Sequence, residues 1–274
     1  MMTSASLKEA ATFNAENLLI SFGIKKMNDP IGVILGTGWG DQLPLTKTIP
    51  LQKLSPFSDL PNLASHKREY GYCQISGKDV VVLNGRIHLN ESPGNCQIFE
   101  MVRLQTQILM ELGVKKLIVT SASGALPNKG IEVDDIVLIN KFLTLFSLQM
   151  PLNAGEFVSP EDTLSKKLID IAYADGLYYE IGKVKKGAYA MVLGPNFEGR
   201  KLDKHILANL GANIAGMSTL PEACVAALYH AEILAMSFVT NDAVEEHSHK
   251  KNTEEVKKNS EKLTTYLTKV ITDI

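Results

Sequence analysis

The sequence predicts an α/β layered fold with a mostly parallel or mixed sheet, held in one domain over residues 1–274. Short apolar runs recur at 31–35, 80–83, 116–120, 136–139, 189–193 and 233–240, each of a length that suits a buried strand. Helical periodicities fall between many of them, and that alternation favours strands layered against helices. Size is the third observation: 274 residues, 45% of them hydrophobic, suffice for one large core.

Segment 95–112 carries Ile98, Met101, Val102, Leu109 and Leu112 at helical spacing, and Gly113 supplies a left-handed residue after its end. A second helix is expected from a Ser159 cap, with Pro160 at its first position, Asp162 in the first turn and Gly176 just past its end. Asn252 and Glu255 form a capping-box pattern that opens a final helix through Val256, Leu263, Leu267 and Val270. Segment 50–64 reads as a loop-rich excursion, and no internal repeat or linker interrupts the chain.

Charge narrows the range of functions. A formal net charge of −2 leaves no basic stripe to neutralise a run of nucleic-acid phosphates, so no such partner is expected. Segment 1–23 mixes Lys8, Glu9, Asn14, Glu16 and Asn17 among its apolar residues and so lacks the unbroken apolar block of a signal peptide. No stretch approaches the about 18 uncharged apolar residues that span a bilayer, so no membrane partner is expected either. Cys73, Cys96 and Cys224 form neither a CxxC nor a metal-ligand pattern and read as reduced core thiols of a cytoplasmic protein.

Six segments carry chemistry. In the first, strand 31–35 runs into Gly36-Thr37-Gly38-Trp39-Gly40, where glycines and the Thr37 hydroxyl can approach an anion. Asp41 stands where a dinucleotide fingerprint needs its third glycine, which disfavours that site; an ordinary tight turn stays open as a reading. In the second, Gly85-Arg86-Ile87-His88-Leu89-Asn90-Glu91 follows a strand, and in extended backbone Arg86 and His88 project to one side, able to donate to one anion. In the third, strand 116–120 breaks into Ser121-Ala122-Ser123-Gly124-Ala125, small residues that leave room for a ligand or, equally, for close helix packing.

The fourth, 191–198, ends a strand at Gly194-Pro195 and presents Phe197, which can stack on a planar base, and Glu198, which can accept from a ring N–H; a surface turn is the alternative. The fifth, 215–222, holds Met217 and Ser218, the latter also a natural helix cap. The sixth ends an apolar strand at Asn241-Asp242, and Asn241 offers both the donor and the acceptor needed to read a purine edge.

In this order and separation the six segments resemble the trimeric purine nucleoside phosphorylases over nearly the whole chain. The resemblance implies a single α/β domain with a central mixed sheet flanked by helices, a homotrimer, inorganic phosphate as co-substrate, and neither metal nor organic cofactor. It implies that Thr37, His66, Arg86, His88, the Ala122 backbone and Ser218 hold phosphate, Thr37 replacing the more usual serine. It further implies that Tyr189, Met217, Asn90 and Thr253 face ribose, that Phe197 stacks on the purine, that Glu198 and Asn241 grip its polar edge, and that Phe157 reaches a neighbouring subunit's site. His88, Glu198 and Asn241 would be the catalytic residues. By its own surroundings His66 reads as an exposed histidine in the polar stretch 64–68, while His205, His230, His247 and His249 read as surface or helix-face residues.

Such a reaction builds positive charge on the sugar and negative charge on the departing base, as in other oxocarbenium-like glycosyl transfers. Asn241 suits the O6 acceptor of hypoxanthine or guanine, whereas an aspartate would suit the amino group of adenine, so inosine and guanosine are the expected substrates. Asn90 stands where the family usually has tyrosine, and Thr253 where it usually has histidine, so the ribose wall departs from the family pattern. Asp242 beside Asn241 raises a second reading, a methylthioadenosine phosphorylase, and the two departures raise a third, a purine-binding protein without turnover.

Overall fold

The computed structural model describes residues 2–37, 39, 43–59, 67–91, 95–145, 150–178, 183–193, 201–244 and 258–274. In chain order these form α1 (Ser4–Phe22), β1 (Ile31–Leu35), β2 (Lys47–Pro50), β3 (Glu69–Ile75), β4 (Lys78–Asn84), α2 (Cys96–Glu111), β5 (Lys116–Ala125), β6 (Ile136–Leu143), α3 (Lys166–Tyr178), β7 (Val184–Met191), α4 (Lys201–Asn209), β8 (Ile214–Gly216), α5 (Leu220–Ala227), β9 (Glu232–Asp242) and α6 (Ser260–Asp273).

One nine-stranded mixed sheet has the order β2-β3-β4-β1-β5-β8-β7-β6-β9, and β9 returns to pair with β5. Strands β5, β8, β7, β6 and β9 therefore close into a ring from which β1, β4, β3 and β2 extend as open sheet. β4 and β5 run parallel to β1, and β9 runs parallel to β5, so their carboxyl ends share one edge. That edge is where open α/β sheets gather ligands, because helices and loops leave a crevice there.

Side chains of β1 alternate between two cores, as a pleated strand buried on both faces requires. Ile34 joins Val81, Leu83, Leu104, Ile108 and Ala223, against α1, α2 and α5. Ile31, Val33 and Leu35 join Leu168, Ala172, Leu263, Leu267 and Val270, against α3 and α6. The result is three layers, helices over both sheet faces.

Helix α2 matches its sequence signals: the Asn95 side chain accepts from Gln97 N–H at 2.9 Å, and Gly113 beyond its end has φ +95°. Other elements differ from expectation. Helix α1 has no counterpart among the expected elements; it buries a stripe of Leu7, Ala11, Ala15, Leu18 and Phe22 while Phe13 and Ile20 stay exposed, and it also buries Asn14, whose amide donates to the Ser55 carbonyl at 2.7 Å. Strand β3 makes a hairpin with β4 through Ser76 (φ +51°) and Gly77 (φ +78°), a turn whose two positive φ values suit the strand twist. Ser159 caps only a 3-10 turn, Pro160–Thr163, without a side-chain hydrogen bond, and α3 starts afterwards. Gly176 lies inside α3, not past its end, because a Cβ there would collide with Val184 of β7. β7 begins earlier than 189, since Lys185 and Lys186 find Asp135 and Asp170 at 2.7 and 2.6 Å.

The proposed start of the last helix at 252–256 lies outside the described residues, while Leu263, Leu267 and Val270 are buried in α6 as expected. Cys73 and Cys224 are core thiols, pushed up by burial to about 11 and about 12, but Cys96 is exposed at the start of α2. Of the histidines, His205 and His230 are exposed, and His247 and His249 lie outside the described residues. No helix among the described residues is long and apolar enough to cross a membrane.

Candidate active site

Backbone and buried polar groups from six strand ends or turns meet at the shared edge. Gly36, directly after β1, donates its N–H to Thr120 Oγ1 of β5 at 3.1 Å. A Cβ on Gly36 would strike the Thr120 carbonyl and the Ser121 Cα and lie 3.0 Å from Arg86 Nη2, so this glycine is required for close approach and not for an unusual φ. Trp39, wholly buried, donates its indole N–H to the Ser121 carbonyl at 2.9 Å and is thereby tied to β5.

Arg86 follows Gly85, whose φ of +79° turns the chain at the end of β4. Arg86 is 1% exposed. Its Nη1 pairs with Glu222 Oε1 in the first turn of α5 at 2.9 Å, and its Nη2 donates to the Thr120 carbonyl. A solvated strand end is thereby ruled out. His88 is half-buried, with its backbone N–H donated to Glu91 Oε1 at 2.8 Å and its Nδ1 3.7 Å from the same oxygen. Glu91 in turn holds the buried Arg68 at 2.5 Å. Burial raises the Glu91 carboxyl, but hydrogen bonds from His88 and the Arg68 charge outweigh it and hold the group below its usual range.

Ser218 is buried between β8 and α5, and its N–H donates to the Tyr189 hydroxyl at 3.1 Å. Tyr189 is wholly buried against Phe142, edge-on, so it braces the Ser218 turn from behind. Gly216 makes this contact possible, since a Cβ there would collide with the Tyr189 hydroxyl. Ala122 is partly exposed between the buried Ser121 and Ser123, which join through Ser237 in a chain of hydroxyls at 3.0 and 2.8 Å.

Asn241 lies at the end of β9, opposite Gly124, just after a bulge that shifts the register between Ser123 and Gly124. The Thr240 hydroxyl donates to its Oδ1 at 2.9 Å, and its amide donates to the Asp242 carbonyl at 3.1 Å, so the second amide hydrogen has no partner among the described residues. Asp242 Oδ1 accepts the Val244 N–H at 2.9 Å. Glycine at 124 leaves space that a Cβ would fill to within 3.0 Å of the Asn241 amide nitrogen.

Thr37 and Met217 are half-buried beside this cluster in sequence, and Asn90 is half-buried in the 3-10 turn Leu89–Glu91. Phe157 stands apart, 94% exposed. His66, Phe197, Glu198 and Thr253 lie outside the described residues. The structure therefore gathers Arg86 and the Thr120–Ser121 backbone around Gly36, ties Arg86 through Glu222 to the helix that follows Ser218, and sets Asn241 further along β5.

Sequence reasoning assigned no role to Thr120, Trp39 or Glu222. A signal for Glu222 existed: it is the one carboxylate in the otherwise apolar helix Leu220–Ala227, and a buried carboxylate demands a cationic or donor partner. Chemically, the arrangement encloses a guanidinium whose Nε–H has no partner among the described residues, in surroundings where a contact to an oxyanion would be strong.

Comparison with known proteins agrees in family and fold. The family model described as Phosphorylase superfamily matches residues 30–274. Purine nucleoside phosphorylase 1 of Geobacillus stearothermophilus is 29% identical over 254 residues, covering 88% of this chain and 86% of its own. The purine nucleoside phosphorylase of Mycobacterium bovis is 32% identical over 215 residues, covering 77% and 75%. A crystal structure of the Schistosoma mansoni purine nucleoside phosphorylase in complex with inosine superposes with a TM-score of 0.84 at 24% identity, covering 97% of this chain and 96% of that one. Isoform 2 from the same organism, in complex with cytosine and ribose-1-phosphate, gives 0.85 at 23%, with the same coverage.

Proposed function

This chain belongs to the phosphorylase superfamily and within it to the purine nucleoside phosphorylases, and on that premise we propose that it cleaves 6-oxopurine nucleosides, inosine, guanosine and their deoxy forms, with inorganic phosphate. The products are the free base and (deoxy)ribose 1-phosphate, and the reaction is reversible. The observation that carries the reading is the buried Arg86 beside Gly36 and the Ser218 turn, on the same strand edge as Asn241.

In this reading Thr37, His66, Arg86, His88, the Ala122 backbone and Ser218 hold phosphate beneath the sugar. The anion stabilises the developing positive charge and then attacks the anomeric carbon, gaining from fixed orientation as well as from charge. Tyr189, Met217, Asn90 and Thr253 bound the ribose, Tyr189 through the Ser218 turn that it braces. Phe197 stacks on the base and Glu198 accepts its N1–H. Asn241 donates its remaining amide hydrogen toward N7 and O6 as electrons arrive on the purine.

We further infer that catalysis needs no metal or organic cofactor, that the whole chain works as one unit, and that it assembles as a homotrimer in the cytoplasm. In that trimer the exposed Phe157 reaches the neighbouring site. Light scattering is expected to give a mass near three times the 30.0 kDa chain.

The methylthioadenosine reading rested on Asp242, and the engagement of that carboxylate with the Val244 N–H argues against its use on a base. Phosphate-dependent cleavage of inosine and of methylthioadenosine, measured side by side, tests the choice. Faster cleavage of inosine is expected, and a clear preference for methylthioadenosine overturns the assignment. Hypoxanthine binding without ribose 1-phosphate formation would point to the binding protein.

A further inference from the structure

Arg86 and Glu222 make a single-point contact in a place where both groups are enclosed. Nη1 meets Oε1 at 2.9 Å, the two side chains are 1% and 2% exposed, and Nη2 goes to the Thr120 carbonyl. Arg86 Nε and Glu222 Oε2 have no hydrogen-bond partner among the described residues. A fork–fork pairing would satisfy both carboxylate oxygens, so the geometry does not maximise the strength of the ion pair. It fixes the guanidinium plane through its two terminal nitrogens and leaves Nε–H uncommitted.

A buried ion pair is a weak source of stability, and apolar residues of similar volume often serve as well. The rest of α5 is buried and uncharged, which makes the carboxylate at 222 conspicuous. It also stands four residues after Ser218, across a turn in which Thr219 takes φ +75°, a conformation strained for a β-branched residue. The contact thus ties the arginine after β4 to the turn that carries Ser218.

We propose that Glu222 is the positioning residue for Arg86: it holds the guanidinium in register with the Ser218 turn and so sets affinity for phosphate. The inference rests on the assignment of Arg86 to phosphate. Position, not charge, is the quantity that Glu222 supplies.

Two substitutions separate these. Glu222→Gln removes the charge but keeps an oxygen at the same reach, whereas Glu222→Asp keeps the charge and withdraws it by one methylene. The expected result is a phosphate KM within about twofold of the parent for Glu222→Gln and raised about fivefold or more for Glu222→Asp, with the KM for inosine unchanged in both. A Glu222→Asp protein with unchanged phosphate KM overturns the proposal, as does the reverse order, which would make Glu222 a charge-balancing group. If Glu222→Asp yields no folded protein, Glu222→Gln decides: a phosphate KM within twofold supports positioning and a fivefold rise refutes it. Arg86→Lys, assayed in parallel, tests the parent assignment. An unchanged phosphate KM in that variant removes the phosphate role itself, whereas a raised KM there with none in Glu222→Asp removes only the inference about Glu222.

Discussion

Glu156→Gln tests how the loop bearing Phe157 is held. Both Glu156 oxygens accept from Arg103, at 2.5 and 2.8 Å, and they also take the Asn153 N–H at 2.7 Å and the Ser4 hydroxyl at 2.9 Å. Arg103 is 4% exposed and Glu156 19%. The Arg103 hydrogen bonds, aided by Asn153 and Ser4, outweigh burial and bring the Glu156 carboxyl from 4.5 down to about 2. At about 1.4 kcal/mol per unit, this sets an upper bound of about 3 kcal/mol at neutral pH. Solvent reaching the carboxylate reduces the expected loss to about 1–2 kcal/mol. The folded-state value lies below the unfolded one, so the contribution is complete above about pH 4.5 and fades as the pH falls toward 2. Urea unfolding of parent and variant at pH 7 and pH 3 measures it, with a gap at pH 7 that narrows at pH 3. Equal stability at pH 7, or a gap indifferent to pH, would refute the reasoning.

Asn241→Asp replaces the donor that the proposed reading sets against O6 with an acceptor; kcat/KM for inosine should fall about 5- to 150-fold, matching about 1–3 kcal/mol, and an unchanged rate would remove Asn241 from base recognition. Gly216→Ala drives a methyl into the Tyr189 hydroxyl and releases the Ser218 N–H, so thermal stability should drop by about 1–3 kcal/mol and the phosphate KM should rise; a neutral variant contradicts the bracing role of Tyr189. Dialysis against EDTA should leave phosphorolysis at its starting rate, and loss of activity restored by a divalent metal would contradict the cofactor-free reading.

Much of the fold was legible where one physical signal acted alone. Strand β1 is apolar at every position because both faces are covered, and α2 is capped by Asn95 and ends before the left-handed Gly113, as their chemistry dictates. Signals failed where tertiary contacts overrode local pattern. Helix α1 hides Asn14 by giving it a backbone partner from a distant turn, and Gly176 serves packing against β7 instead of ending α3. In the site, Arg86 could be singled out as a cation beside a buried strand, but not its partner: Glu222 lies 136 residues further along, and only the topology brings them together. Thr120 and Trp39 act through a carbonyl and an indole N–H that no residue spacing announces.

A crystal structure with phosphate and hypoxanthine bound tests the central claim most directly. The account predicts the anion within hydrogen-bond reach of Arg86, Thr37 and Ser218, and the base against Asn241. Density for the anion on a different face of the sheet, or a base that leaves Asn241 untouched, would contradict it.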